Sequence, residues 1–515
     1  MEQPAIQPVT DAGGGDRNKA VVDASSSAGT GGKGIGSGSG GAGPLLGSGG
    51  ASTPAATGGA GGPPVGTGGA NASGGTGGGT GGATVGSGGA GTGGMGTVAA
   101  GPWAKNVQVG LVEVAQGTFV TLGEGVTVVP PQMRNASLIA GRPLFARVHV
   151  SPQGGFLPRQ LMGVLTLTNS GLGEKIYRDT KMVSVRSDPE KLDSTFNFLV
   201  PAADVVAGAT ASIGLFETSG ATDALPNNGP RFPATSVLDL AIKDGRMELS
   251  VVFVPFTGPG GALADTPARR KRMEDFLYDT YPVQKINATW HAPVQQDTKL
   301  GGSTQGFAIL RDLRTKESAS AQQYYHLLVG ENDCSGCDFA GIAAITGDRV
   351  SDGPRRIAIT VMSTMTIDGG PTTSAGSPNT TGHEIGHNHG RFHTDDEDKD
   401  FPYANAGIGA NGYSLTEGIL KSKTRFHDLM SYTWPRWPSD YIWRLFDARV
   451  RTVTAFAALD GPAVPGRSLQ GFLGVGGRSS FGVVRGKLVD ESTLAMQPTH
   501  MARIDLDGGE TIMAP

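Results

Sequence analysis

The sequence predicts an antiparallel β-sandwich followed by an α/β domain built on a largely parallel sheet. From about Val107 to Ile242, short runs such as NVQVGLVEV, LFARVHV, GVLTLT, MVSVR, FNFLV and ASIGLF alternate in hydrophobicity and are separated by Gly, Pro, Asn and Asp. Strands at that spacing, with few helical stretches between them, describe a sandwich. At Met247 the pattern changes, and strand-like runs begin to alternate with helical ones, as they do where helices cover a parallel sheet. A third observation sets the starting point. Gly29 to Gly101 is almost wholly Gly, Ser, Thr and Ala, with Lys33 its only charge, and so lacks the apolar side chains needed to offset the entropy of ordering a backbone. The expected divisions are a disordered N-terminus over 1–28, a flexible linker over 29–101, and a β-sandwich accessory domain over 103–243. An α/β domain over 246–451 and a β-rich tail or partial module over 452–515 complete the chain.

In the α/β region, ELSVVFVPF is apolar enough for a strand buried on both faces. Thr266 can cap a helix with Pro267 in its first turn and Met273, Phe276 and Leu277 along one stripe. KINATWHA reads as a strand, FAILRDLRTKE as a helix, and YYHLLVG and RRIAITVM as further strands. Ser439 can cap a last helix, DYIWRLFDARV, striped by Ile442, Leu445, Phe446 and Val450.

A formal charge of −4 over 515 residues gives no electrostatic reason to expect nucleic acid or an anionic membrane as partner. No run of apolar residues is long enough for a transmembrane helix, and no feature sets an oligomeric state. The start, MEQPAIQPVT, lacks the basic and apolar regions of a secretory signal. The Gly-rich stretch, by contrast, resembles the spacers of bacterial exported and surface-anchored proteins, so the expectation is a secreted or cell-surface protein whose leader is missing from this version of the sequence. The two cysteines, Cys334 and Cys337, are too few for a structural zinc site and lie in a loop after a strand. A loop disulfide is the better reading, and it fits an oxidising compartment.

The chemistry is concentrated in TGHEIGHNHGRFH, Thr381 to His393. His383 and His387 are four apart, so a helix projects both from one face toward a single ion. Glu384 follows the first histidine, where it can reach a water at the metal rather than the metal itself. Gly390 permits a positive φ that ends the helix, and His393 returns as third ligand. Three protein nitrogens leave one position of a tetrahedral Zn2+ open, the arrangement of a catalytic zinc.

HEIGHNHGRFH resembles the zinc signature of the metzincin proteases. DLMSY, Asp428 to Tyr432, resembles their methionine turn, with Met430 placed 37 residues after His393 (430 − 393). The resemblance spans about Met247 to Val450 and implies a metzincin-like fold with a twisted, mostly parallel sheet and a loop-rich lower half closed by a helix. Within that family the chain is similar to bacterial secreted enzymes with an N-terminal β-domain, including mucin-cleaving ones. The resemblance makes Met430 an apolar floor. Tyr432, two residues on, has two readings: a donor to the developing oxyanion, as in astacin-like and serralysin-like enzymes, or a packing partner of Trp434.

His389 falls about 200° round the helix from His387 and should point away from the metal. His427 reads as a surface residue. The acidic run Asp395, Asp396, Glu397, Asp398 lacks calcium-loop spacing and reads as a solvated turn. Tyr432, Trp434, Trp437, Tyr441 and Trp443 read mostly as core. The function expected is a zinc-dependent endopeptidase acting on proteins or glycoproteins, with an edge strand near Gly341 to Ile345 holding an extended substrate. The alternatives are a catalytically silent adhesin or glycan-binding protein that keeps a protease fold, and a zinc hydrolase of small peptides.

Overall fold

The computed structural model describes residues 20–23, 102–171, 173–219, 229–261, 266–362, 377–456, 467–473, 479–485, 502–505 and 511–514. The linker expected over 29–101 lies outside these residues. Strand β1 (Ala20–Asp23) departs from the disorder expected of 1–28. It pairs antiparallel with a sheet edge, Ala20 opposite Ala344 and Asp23 opposite Gly341. The sequence AVVD holds two β-branched residues, which favour extended backbone, and a sheet edge offers the unpaired peptide groups such a strand needs.

Seven long strands form the expected antiparallel pair of sheets. They are β2 (Val107–Ala115), β3 (Phe119–Glu124), β4 (Leu144–Pro152), β5 (Arg159–Asn169), β6 (Gly173–Val183), β7 (Phe196–Val200) and β8 (Thr210–Glu217). One sheet runs β3-β2-β4-β7 and the other β8-β5-β6, each extended by short strands. Alternate residues point inward, so Val112, Val114, Leu144 and Val148 of the first sheet meet Leu161, Leu165, Ile213 and Leu215 of the second in one core. Strand β6 is an edge strand, mostly exposed or half-buried, and carries Lys175, Arg178 and Lys181 along its length, charges that discourage pairing with another chain.

The second lobe is built on β9 (Glu248–Thr257), α1 (Pro267–Thr280), β10 (Lys285–Trp290), α2 (Ser303–Lys316), β11 (Gln323–Gly330), β12 (Gly341–Ala344), β13 (Ile357–Met362), α3 (Ser377–Asn388) and α4 (Asp440–Ala455). Its sheet runs β1-β12-β13-β11-β9-β10. The ladders β10–β9, β9–β11 and β11–β13 are parallel, whereas β12 and β1 are antiparallel. The sheet is therefore mixed, and among the described residues antiparallel sheets predominate. The edge expected to receive substrate, Gly341 to Ile345, carries β1 on its outer side.

Strand β9 is buried on both faces, and its alternation feeds two cores. Val251 and Phe253 pack with Met273, Leu277, Ile385, Ile442 and Phe446 of α1, α3 and α4. Val252 and Val254 pack with Phe307 and Leu310 of α2. Each such side chain contributes about 1.5–3 kcal/mol of burial. The caps fall where expected: Thr266 accepts from Arg269 N at 3.2 Å and Ser439 from Ile442 N at 3.0 Å. Helix α4 continues to Ala455, past the boundary expected at 451. Beyond it, two antiparallel hairpins pair Arg467–Leu473 with Ser479–Arg485 and Ala502–Asp505 with Thr511–Ala514.

The sandwich is locked to the second lobe by a buried cation. Arg142 donates to the carbonyls of Gln116, Tyr278 and Val283 at 2.8, 2.6 and 2.5 Å. Its guanidinium lies 4.3 Å from the Tyr278 ring centre and 5.6 Å from that of Trp443. Burial lowers its pKa, opposed by Tyr278 and Asp279. Gly117 admits no side chain, since a β-carbon would come 2.2 Å from Trp443, and its carbonyl accepts from Trp437 Nε1 at 2.9 Å. A disulfide joins Cys334 to Cys337 in the loop after β11. Among the described residues no helix is long and apolar enough to cross a membrane.

Candidate metal centre

Helix α3 carries His383 and His387 on one face, and Gly390 ends it with φ +81°. A side chain at 390 would meet Thr346 O at 2.9 Å, so both the dihedral and the space require glycine. The chain then turns back and brings His393 to the other two histidines. One ligand atom from each of His383, His387 and His393 lies within 4.8 Å of the others, and all three residues are buried. The Nε2 atoms of His387 and His393 are 3.1 Å apart.

The outer nitrogens fix the tautomers. His383 Nδ1 is 2.7 Å from Leu429 O and His387 Nδ1 is 2.7 Å from Arg391 O. A carbonyl only accepts, so each Nδ1 carries the proton and each Nε2 presents its lone pair inward. His393 Nδ1 faces Glu397 Oε2 at 3.0 Å in the same way. Burial pushes the His383 pKa well below its usual value, helped by the Arg436 cation and the neighbouring histidines. Burial, and then His393, lowers His387 to about 3, and burial lowers His393 to about 4. All three imidazoles are thus neutral near pH 7, the form that binds metal. This group can hold a metal ion.

Glu384 is fully buried beside them. Its carboxylate packs against Gly341 of β12, where a β-carbon would come 2.3 Å from Oε1. Met430 is buried beneath α3: a β-carbon at Gly386 would lie 2.3 Å from its sulfur, so the glycine between His383 and His387 lets the methionine approach. The turn holding Met430 is shaped by Asp428, whose buried carboxylate accepts from Met430 N at 2.7 Å and Ser439 N at 2.8 Å. Burial raises the Asp428 pKa to about 6 against those hydrogen bonds. Tyr432 places its hydroxyl 3.0 Å from His393 Nδ1 and its ring centre 4.2 Å from that of His393. In this structure it touches the outer nitrogen of His393.

The surrounding residues were read unevenly from sequence. His389 does point elsewhere, into a pocket of Tyr281, Tyr324 and Phe446. His427 sets Nδ1 2.8 Å from Asn405 O, partly exposed. Trp437 and Trp443 are core. The acidic run is an exposed turn, as read, and it also makes hydrogen bonds. Asp395 accepts from Ser431 Oγ at 2.9 Å and Tyr432 N at 2.7 Å, tying the loop that carries His393 to the turn that carries Met430, and Glu397 orients His393. Sequence reasoning also missed Arg436, buried 3.2 Å from His383 Nδ1 and 4.2 Å from the Trp434 ring centre. No local signal marks Arg436, whereas Gly386, between His383 and His387, marks the close approach of Met430.

No family model matches the chain, and no curated protein matches it. Among solved structures, that of metalloproteinase-II from Bacteroides fragilis is similar over 59% of this chain and 82% of that one, at 14% identity and a TM-score of 0.24. A likeness of that size decides neither fold nor activity, and the centre stands on its own geometry.

Proposed function

We propose that this chain is a zinc-dependent endopeptidase of the metzincin type that hydrolyses peptide bonds of extracellular proteins or glycoproteins. The observation that carries the reading is the buried triad of His383, His387 and His393, each outer nitrogen anchored, with Glu384 next to the first ligand on the same helix. Three neutral imidazoles suit zinc. When bound, the ion supplies a Lewis acid that acidifies water and polarises a carbonyl. Glu384 takes the proton from the attacking water and passes it to the leaving amine. Tyr432, beside His393, donates to the oxyanion that develops on the carbonyl, and Met430 supports the ligand helix from below. The Cys334–Cys337 disulfide supports an oxidising, extracellular setting.

Purified protein should hold about one zinc per chain and cleave casein at internal bonds, with cleavage abolished by chelator and restored by zinc. His387→Ala should empty the site. Glu384→Gln should keep the metal and lose about 10²–10⁴-fold in activity, because the amide cannot accept the proton. Near wild-type cleavage by that variant would overturn the mechanism.

A further inference from the structure

Strand β12 (Gly341–Ala344) has two edges, and both are filled. Its inner edge pairs with β13, Gly341 opposite Thr360 and Ala343 opposite Ala358. Its outer edge pairs antiparallel with β1, Ala20 opposite Ala344, Val21 opposite Ala343, Val22 opposite Ile342 and Asp23 opposite Gly341. Paired strands lie about 4.8 Å apart, so the backbone at Asp23 runs beside Gly341. A β-carbon on that glycine would come 2.3 Å from Glu384 Oε1. Strand β1 therefore reaches the register of the proposed base. A peptide that binds by strand addition uses the single row of peptide groups that an edge presents. Over Gly341–Ala344 that row is already in use.

We infer that Ala20–Asp23 is an internal competitor for substrate: it holds the outer edge of β12, and an extended peptide must displace it before a scissile bond can meet Glu384. The inference rests on the endopeptidase reading above. Four residue pairs make a short ladder, and each backbone hydrogen bond is of modest net worth because water competes for the same groups. A substrate strand that pairs over more residues therefore replaces β1. The apparent affinity for substrate falls in proportion to the fraction of molecules whose edge is free. Because β1 and β12 belong to one chain, that fraction does not change on dilution.

The test compares the full chain with a variant lacking residues 1–28, and with Val21→Pro combined with Val22→Pro, which removes two strand amides in case the deletion does not fold. Hydrogen exchange on the zinc-free proteins reads the pairing without any activity. Exchange across Gly341–Ala344 should be slower in the full chain than in either variant. Cleavage of an internally quenched fluorescent peptide should show KM lowered at least about tenfold in both variants with kcat unchanged, as when a competitor fills about nine-tenths of the sites. A synthetic peptide of residues 17–26, added to the deletion variant, should raise KM again, and a scrambled peptide should not. Equal exchange in all three proteins, or a KM unmoved by either change, would overturn the inference. Protection that disappears on dilution would place β1 on a second copy and overturn it as well. Exchange that responds as expected, with no chelator-sensitive cleavage by any of the three proteins, would instead overturn the endopeptidase reading, and the competitor role with it, while the strand pairing stands.

Discussion

The carboxylate of Glu384 and the α-carbon of Gly341 are packed so closely that one methyl group between them would sit 2.3 Å from Oε1. The strand edge therefore sets where the proposed base stands. Gly341→Ala should displace Glu384 and lower kcat by about a hundredfold, the scale of a 1 Å misplacement. Zinc should be retained, since no ligand moves. Metal analysis alongside casein turnover checks this, and full activity would show that the carboxylate position is uncritical.

Glu397 tests the support of the third ligand. Its carboxylate accepts from His393 Nδ1 at 3.0 Å. Removal of such a partner typically weakens metal binding about 10–100-fold. Competition of Glu397→Ala with a fluorescent chelator should show that loss, with the unfolding midpoint of the metal-free protein little changed. Wild-type affinity would return Glu397 to the solvated turn.

Tyr432→Phe distinguishes donor from packing. As an oxyanion donor the hydroxyl is worth about 10²–10³-fold in kcat with little effect on KM. If the variant turns over like wild type with its zinc intact, Tyr432 serves only to pack against His393.

Acid sensitivity follows from His326, which lies in the sheet away from the triad. Burial lowers its pKa to about 3, and its Nε2 is bonded to Thr360 Oγ1 at 2.8 Å. The unfolded chain takes up the proton near pH 6.5, so between about 6.5 and 3 the unfolded state binds more protons. Stability must then fall as pH falls, by up to about 1.4 kcal/mol per pH unit for this one group. Urea unfolding from pH 7 to 4, with chelator present, should show a shallower slope for His326→Gln. An unaltered slope would mean that other groups dominate.

What was legible in the sequence was local. The four-residue spacing of His383 and His387, the positive φ of Gly390 and the caps at Thr266 and Ser439 depend on neighbours within a turn or two, and spacing encodes them directly. The disulfide was legible for the same reason. The contact of Glu384 with Gly341 was not, because a strand far along the chain makes it. Asp395 and Glu397 do face solvent in a turn, and what sequence did not show is the pair of hydrogen bonds from Ser431 and Tyr432 to Asp395, because those partners lie in a turn further along the chain. The pairing of β1 with β12 is longer in range still.

The hydrogen bond from Trp437 to Gly117 spans 320 positions of the chain. A polypeptide synthesised at about 5–20 residues per second makes Gly117 roughly 15–60 s before it makes Trp437. For all that interval α4 is missing, and Val251, Phe253 and Leu277 have no Phe446 or Ile442 to pack against. The histidines emerge before Leu429 and Met430, which form the turn that supports them. Leu429 supplies the carbonyl that fixes His383. A nascent chain therefore displays these three histidine side chains with no floor beneath them, and the centre acquires its final geometry near the end of synthesis. Hydrolytic competence, on the reading given above, is a property the ribosome-bound protein does not yet possess.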